Sequence, residues 1–473
     1  MLPIVPVATD TNQVWHELAT RRGGNPAASG LIRPTWRVRA MGVGGPSYLH
    51  GMRLLHTSDW HLGRTLHGVS LHEAQSAVLE RICELVEDPP DGVPIDAVVV
   101  AGDVYDRGVP PVESVQLFEW TLSRLSQVTT VVVTSGNHDS AIRLGYGSGL
   151  FRDRIRMITD ISMIDLPVLL EGSDGVQAAI YGIPYLDVDH ARAALARGGE
   201  TLPRSHQAVV GAACARIRED LGGRAGVRSV VVAHAFVAGA EPSDSERSIA
   251  VGGVDRVAGT VFEGIDYAAL GHLHGPQAPE CAAGSVVRYS GSPLRYSFSE
   301  QDHTKCALLV DLPAAGPVQV TEVEIVQPRA MATLRGLLED LLADPAHTTH
   351  EDSWLRVTVT DRARPDSLMD RLKSRFPHVL QVFHEPDGRI ERGVRGTTVV
   401  SERDPRELGS DFIAYVSKAE ASEGEIACFV EGYEAAVRAQ SLAEAQEREE
   451  RGATSASEEP SGIRARRSEE EVA

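Results

Sequence analysis

Short β-branched runs that stop abruptly at Asp, Asn or His recur along this chain, and they constrain its fold more than any other feature. Ile95–Ala101 leads into Gly102-Asp103, Val131–Thr134 into Gly136-Asn137-His138-Asp139, and Val230–Ala233 into His234. Continuous apolar runs of this length, bounded by turn residues, read as strands buried on both faces. Arg53–Thr57 is a shorter strand that delivers Ser58-Asp59-Trp60-His61, and Tyr267–Gly271 delivers His272-Leu273-His274. Helical spacing over 70–87 (Leu71, Ala74, Val78, Ile82, Leu85) and over 112–126 (Val115, Leu117, Phe118, Leu122, Leu125) separates the first three strands. Strand, helix, strand, helix, strand predicts a layered α/β fold, and in open sheets of that kind active sites collect at the carboxyl ends of strands.

The residues delivered at those ends have a common chemistry. Asp59, His61, Asp103, Asn137, His234, His272 and His274 offer seven nitrogen and oxygen donors and no sulfur. In an extended chain alternate side chains share a face, so Asp59-x-His61 and His272-x-His274 are each expected to present two donors together. Imidazole with carboxylate suits Mn, Fe or Zn, whereas an all-oxygen set would suit Mg or Ca. Seven donors are too many for one ion and suit two, with the Asp103 carboxylate the natural bridge. Two ions about 3.5–4 Å apart can clamp an in-line displacement at phosphorus. In Gly136-Asn137-His138-Asp139, Asn137 reads as a metal ligand and His138, steadied by Asp139, as the proton handler; a plain polar turn is the bland reading of the same residues. For His234 the bland reading is a histidine satisfied by a hydrogen bond in the core.

Composition limits the remaining possibilities. The 473 residues suffice for two or three domains with a sizeable core, and 42% hydrophobic with 24% charged residues is ordinary for a globular protein. No run of 18 apolar residues occurs, the N-terminus does not read as a signal peptide, and Cys83, Cys214, Cys281, Cys306 and Cys428 are scattered; a cytoplasmic protein without disulfides is expected. The net charge of −20, roughly half of it after residue 400, is awkward for a chain that grips a polyanion by itself. Attraction for such a substrate must come from local metal charge or from a partner.

Residues 1–51 lack periodicity and read as a disordered extension or an upstream start, with Met52 a plausible beginning. Residues 52–320 hold the strand-end clusters. Over 331–343, Met331, Leu334, Leu338, Leu341 and Leu342 predict an amphipathic helix; strand Trp354–Thr360, helix Pro365–Phe376 and strand Val379–Phe383 follow. This predicts a small α+β domain over 325–400. A helical segment over 405–445 places Ile426, Phe429, Val430, Tyr433 and Val437 on one face of residues 425–440, suited either to a partner or to packing on its own chain. Residues 446–473 form an acidic tail expected to be disordered.

Taken together, these motifs resemble the calcineurin-like metallophosphoesterases. Leu55-His56-Thr57-Ser58-Asp59-Trp60-His61-Leu62-Gly63-Arg64 and Tyr289-Ser290-Gly291-Ser292-Pro293-Leu294-Arg295-Tyr296-Ser297-Phe298-Ser299-Glu300 are similar to the SbcD-type nuclease subunits within that superfamily. The resemblance covers about 52–440, more loosely beyond 310. It implies a β-sandwich flanked by helices, with a capping domain and a partner-binding helical segment. It implies that Asp59, His61, Asp103 and His274 hold one manganese, and Asp103, Asn137, His234 and His272 the second. His138 would assist the phosphate or the leaving group, with Asp139 orienting its ring. Further implications are hydrolysis of DNA ends and hairpins by exo- and endonuclease action, in repair, replication and recombination. The implied partners are an SbcC-type coiled-coil ATPase and a second copy of this chain within a heterotetramer. Two departures stand out. Archaeal and eukaryotic relatives carry a histidine where this chain has Asp106, and Gly102-Asp103-Val104-Tyr105-Asp106-Arg107-Gly108 also looks like the phosphatase pattern in which the arginine grips phosphate. Another calcineurin-like phosphoesterase, acting on phosphoproteins or nucleotides, is the alternative, and a non-catalytic DNA-binding scaffold is the third possibility.

Overall fold

The structure is a computed structural model that describes residues 36–41, 51–151, 154–172, 174–199, 201–246, 256–386, 404–417, 419–436 and 438. The described residues fall into two compact units, one within Met1–Ala332 plus Thr349–Leu355 and the other within Thr333–Thr348 plus Arg356–Ala473.

The larger unit is built on two sheets. In the seven-stranded sheet, Met52–Thr57, Ala97–Ala101, Thr130–Thr134 and Ile155–Ile158 run parallel in that order. Cys306–Leu312, Gln319–Glu324 and Val38–Met41 extend it antiparallel on the other side of Met52–Thr57. The five-stranded sheet orders Val286–Tyr289, Tyr267–Gly271, Arg228–His234 and Gln177–Ile183 in parallel, with Val168–Glu171 antiparallel at its edge. The Val38–Met41 strand lies inside the stretch expected to be a disordered extension. Its pairing with Gln319–Glu324 supplies backbone hydrogen bonds that local composition does not announce.

Period-two alternation decides which side chains meet between the sheets. Leu54, Ala97, Val99, Ala101 and Val132 from the first sheet share one core with Ala178, Ile180, Val230, Val232 and Ala269 from the second. The intervening Ala179, Tyr181, Val231 and Ala233 face the opposite way, onto Val209, Ala213 and Ile217 of helix His206–Leu221. Helices His72–Glu87 and Val112–Val128 each bury one apolar stripe, Val78, Leu79, Ile82 and Leu85 on the first and Leu117, Leu122 and Leu125 on the second. The strands are therefore covered on both faces, as their unbroken apolar runs require. Leu54 is completely buried between the sheets. Leu54→Ala is expected to lower stability by about 2–5 kcal/mol, measured by denaturant unfolding.

The smaller sheet orders Met331–Gly336, Trp354–Val359 and Val379–His384, with helices Leu338–Ala343 and Leu368–Arg375 in the connections. The single helix expected over 331–343 is thus a strand and then a short helix. Leu334, Leu338 and Leu341 have helical spacing, but pairing beside Trp354–Val359 outweighs it, and Gly336 interrupts the run where the strand ends. Leu338 N–H donates to Asp361 Oδ2 at 2.7 Å, giving the helix an acceptor at its start. A helix follows over Pro405–Ser417 and another over 423–436. In the second, Phe429 lies over Gly409, where an added Cβ would collide with its ring, so that part of the apolar stripe packs on its own chain. Phe412, Tyr415 and Val416 of the first are exposed. The acidic tail over 446–473 lies outside the described residues, and no described helix is long and apolar enough to cross a membrane.

Candidate metal centre

Both sheets direct their strand ends to one place. Asp59, His61, Asp103, Asn137, His138 and Asp139 follow three parallel strands of the larger sheet, while His234, His272 and His274 come from two neighbouring strands of the other. The approach is close enough to require glycine. A Cβ on Gly136 would overlap Asp103, and one on Gly271 would overlap the Ala101 carbonyl across the junction.

The expected extended geometry of Asp59-x-His61 is not what brings these side chains together. Asp59 and His61 have φ of 54° and 44°, Asp103 has 49° and His272 has 106°, so four of the seven candidate ligands sit in left-handed backbone. Non-glycine residues hold such conformations at a cost, and they cluster at functional sites. The loops that follow the strands hold them there. Asp59 N–H donates to Gly102 O at 3.1 Å, His61 N–H to Asp103 O at 2.9 Å and Leu62 N–H to Val104 O at 2.9 Å. Gln75 of the first helix donates to His61 O at 2.6 Å, and Trp60 is buried with its ring edge-on to Phe118.

Asp103 is the hub. Its Oδ2 lies 3.5 Å from His234 Nε2, 3.6 Å from His61 Nε2 and 3.9 Å from His138 Nε2, while its Oδ1 accepts from His138 N–H at 2.9 Å. Donor atoms converge within 4.8 Å of one another in three groups: Asp59, His61 and His274; Asp59, Asp103 and His234; and His61, Asp106 and His138. Asn137 joins them, its Oδ1 lying 2.9 Å from His234 Nε2. His272 adjoins them, its ring 5.3 Å from that of His234, and its N–H donates to Asp59 Oδ1 at 3.0 Å. The structure thus gathers all seven sequence-predicted ligands in one region. It adds Asp106, Ser245, Glu300 and Lys305, which the sequence does not single out as site residues. Of these, Asp106 has a local signal in its place beside the Gly102-Asp103 motif, and Glu300 in closing the second SbcD-like motif.

The residues fit cations. His234 Nδ1–H donates to Ala101 O at 3.0 Å, so its Nε2 turns a lone pair toward the Asn137 oxygen. His274 Nδ1–H donates to Ser245 Oγ at 2.5 Å, so its Nε2 turns a lone pair toward His61 Nε2, 3.0 Å away. Two acceptors aimed at one another, as His234 Nε2 and the Asn137 oxygen are, suit a positive ion bound between them. Burial, reinforced by His274, His138 and Arg64, holds the His61 imidazole well below the ordinary histidine range, in its neutral, ligating form. Burial, followed by repulsion from Asp103, raises Asp59 well above the ordinary carboxylate range and Asp139 to about 7.

Asp139 differs from expectation. Its carboxylate accepts from Val104 N–H at 3.1 Å, Tyr105 N–H at 2.9 Å and Gly136 N–H at 2.9 Å. His138 Nδ1–H instead donates to Asp106 O at 2.8 Å, so a backbone carbonyl orients the ring and Asp139 ties the two loops together. A buried carboxylate close to unpartnered amides is drawn to them first, because amides left unbonded are costly.

Two family models match the chain. The calcineurin-like phosphoesterase model matches residues 52–197, which contain Asp59, His61, Asp103, Asn137, His138 and Asp139. The SbcD C-terminal model, described as the type 5 capsule protein repressor C-terminal domain, matches residues 327–416. His234, His272 and His274 lie beyond the first match, and it is the second sheet that brings them to the same centre. The chain belongs to the calcineurin-like phosphoesterase superfamily, in its SbcD-type branch.

Proposed function

We propose that this chain is the nuclease subunit of a DNA-processing complex, hydrolysing phosphodiesters at DNA ends and hairpins in repair, replication and recombination. The observation that carries the reading is the complete set of imidazole, carboxylate and amide donors around Asp103, in a chain matched by both family models. Asp59, His61, Asp103 and His274 would hold one divalent ion, and Asp103, Asn137, His234 and His272 the second, with manganese the expected metal. When bound, the two ions supply Lewis acidity toward the phosphate and activate water for attack.

The chain's own residues supply position and protons. Asp103 faces three imidazoles and so keeps both ligand sets at fixed separation. With His138 Nδ1 committed to the Asp106 carbonyl, Nε2 is the atom that can hold a proton and deliver it to the departing sugar oxygen as water replaces it at phosphorus. At a net charge of −20, the bound ions and a coiled-coil ATPase of the SbcC type would provide the attraction for DNA. The exposed Phe412, Tyr415 and Val416 suit the ATPase's docking surface, the small domain over 325–400 would help place DNA, and a homodimer would complete a heterotetramer. A cytoplasmic, nucleoid-associated location follows from that role.

The test is cleavage of duplex ends and hairpins by the full chain with manganese and its ATPase. His138→Ala is expected to slow cleavage by about 10²–10⁴-fold while manganese binding is retained. Turnover of phosphopeptides or cyclic nucleotides, with no cleavage of DNA, would replace the nuclease reading by that of another phosphoesterase.

A further inference from the structure

Residues 290–305 contain much of the second SbcD-like motif, yet none of the candidate metal ligands. The segment is nevertheless buried against three of them. Ser290 Oγ lies 2.9 Å from Ser58 Oγ, which donates to Asp59 Oδ2 at 2.5 Å. The Tyr296 ring packs edge-on to His61 at 5.4 Å and to His274 at 5.6 Å, and its hydroxyl donates to the Trp60 carbonyl between Asp59 and His61. Glu300 Oε1 accepts from Ser245 Oγ at 2.6 Å, and the same Oγ accepts from His274 Nδ1–H. Lys305 Nζ donates to Glu300 Oε2 at 2.5 Å, to Ser292 Oγ at 2.9 Å and to the His274 carbonyl at 2.8 Å. Ser290, Ser292, Glu300 and Lys305 are almost wholly inaccessible, and Ser245 nearly so.

The three residues served by these contacts are Asp59, His61 and His274, the one donor group among the described residues that draws on both sheets without Asp103. We propose that residues 290–305, acting with Ser245, are the positioning template of one metal position, fixing the orientation of Asp59, His61 and His274. This rests on the two-metal reading above and deepens it. The chain Lys305, Glu300, Ser245, His274 sets the imidazole tautomer: with Nδ1 carrying the proton donated to Ser245, Nε2 carries the ligating lone pair. Hydrogen-bonded partners behind a ligating histidine or carboxylate orient it, and their loss weakens metal binding about 10–100-fold. Asn137 and His234 take their support from each other and from Ala101, so loss of this template should be felt at one position and spare the other.

Ser245→Ala is the informative variant, because Glu300→Ala would strand the buried Lys305 ammonium and threaten the fold. Titration of the metal-free full chain with manganese alone, followed by calorimetry and by electron paramagnetic resonance of free manganese, counts the sites. Expected for Ser245→Ala is one site of wild-type affinity and one weakened about 10–100-fold, with Ser245→Thr restoring both because it keeps the hydroxyl. Two undiminished sites in Ser245→Ala would overturn the proposal, and so would equal weakening of both that Ser245→Thr fails to rescue. A wild-type chain that binds no manganese would overturn the two-metal reading itself, an outcome distinguishable from either of these.

Discussion

Asp103→Ala is expected to abolish phosphodiester hydrolysis, and to do so by a greater factor than any other single substitution at the centre. One Asp103 carboxylate oxygen faces His61, His138 and His234, and the other holds the His138 backbone. Its removal leaves both proposed ligand sets a member short and frees the loop that carries His138. Lewis-acid stabilisation worth several kcal/mol corresponds to about 10³-fold or more in rate. Manganese is expected to raise the melting temperature of the wild type, since a ligand that binds the folded state stabilises it, and the same variant should lose that rise. Asp103→Ala that retained both cleavage and metal-induced stabilisation would remove Asp103 from the site.

The largest effect on stability is expected from Lys305→Met. Lys305 and Glu300 are both wholly buried, and all three ammonium donors are used, which identifies the charged form of the lysine. Burial pushes the Glu300 carboxyl up, but Lys305 and the hydrogen bond on the His274 side more than reverse this and hold it well below the ordinary carboxylate range. Without Lys305 a carboxylate remains in the core with no countercharge. Breaking a buried pair from one side costs about 3–5 kcal/mol, enough to unfold a marginal domain. Denaturant unfolding of metal-free protein measures it. The double variant Lys305→Met with Glu300→Gln should recover part of the loss, because the stranded charge is gone; equal instability in the double variant would place the cost in packing instead.

Much of the fold is legible in the sequence because its strands are continuous apolar runs and its helices carry clear stripes. Ala97–Ala101 and Thr130–Thr134 can be placed from composition and flanking turns alone, since runs so apolar are stable only when covered on both faces. Where sequence and structure part, the causes are identifiable. Met331, Leu334, Leu338 and Leu341 have the spacing of a helix, whereas a neighbouring strand decides that Met331–Gly336 is extended. Val38–Met41 carries no local signal because an edge strand is defined by its partner, here Gln319–Glu324, distant in sequence. Asp139 follows His138 directly, but adjacency in sequence says nothing about which amides lie within reach of its carboxylate.

What the sequence by itself determined is the donor chemistry: candidate nitrogen and oxygen donors, each behind a buried strand, with His138 and Asp139 beside them. Residue type and strand-end position are local properties, so they can be read locally. Only the tertiary structure decided that two separate sheets converge on Asp103, and that left-handed backbone aims Asp59 and His61. The same holds for the Lys305, Glu300 and Ser245 chain behind His274. Lys305 reaches the His274 carbonyl across 31 positions of sequence, and the His272 amide reaches Asp59 across 213. A hydrogen bond of that kind exists only once packing has excluded water and brought both partners to one place.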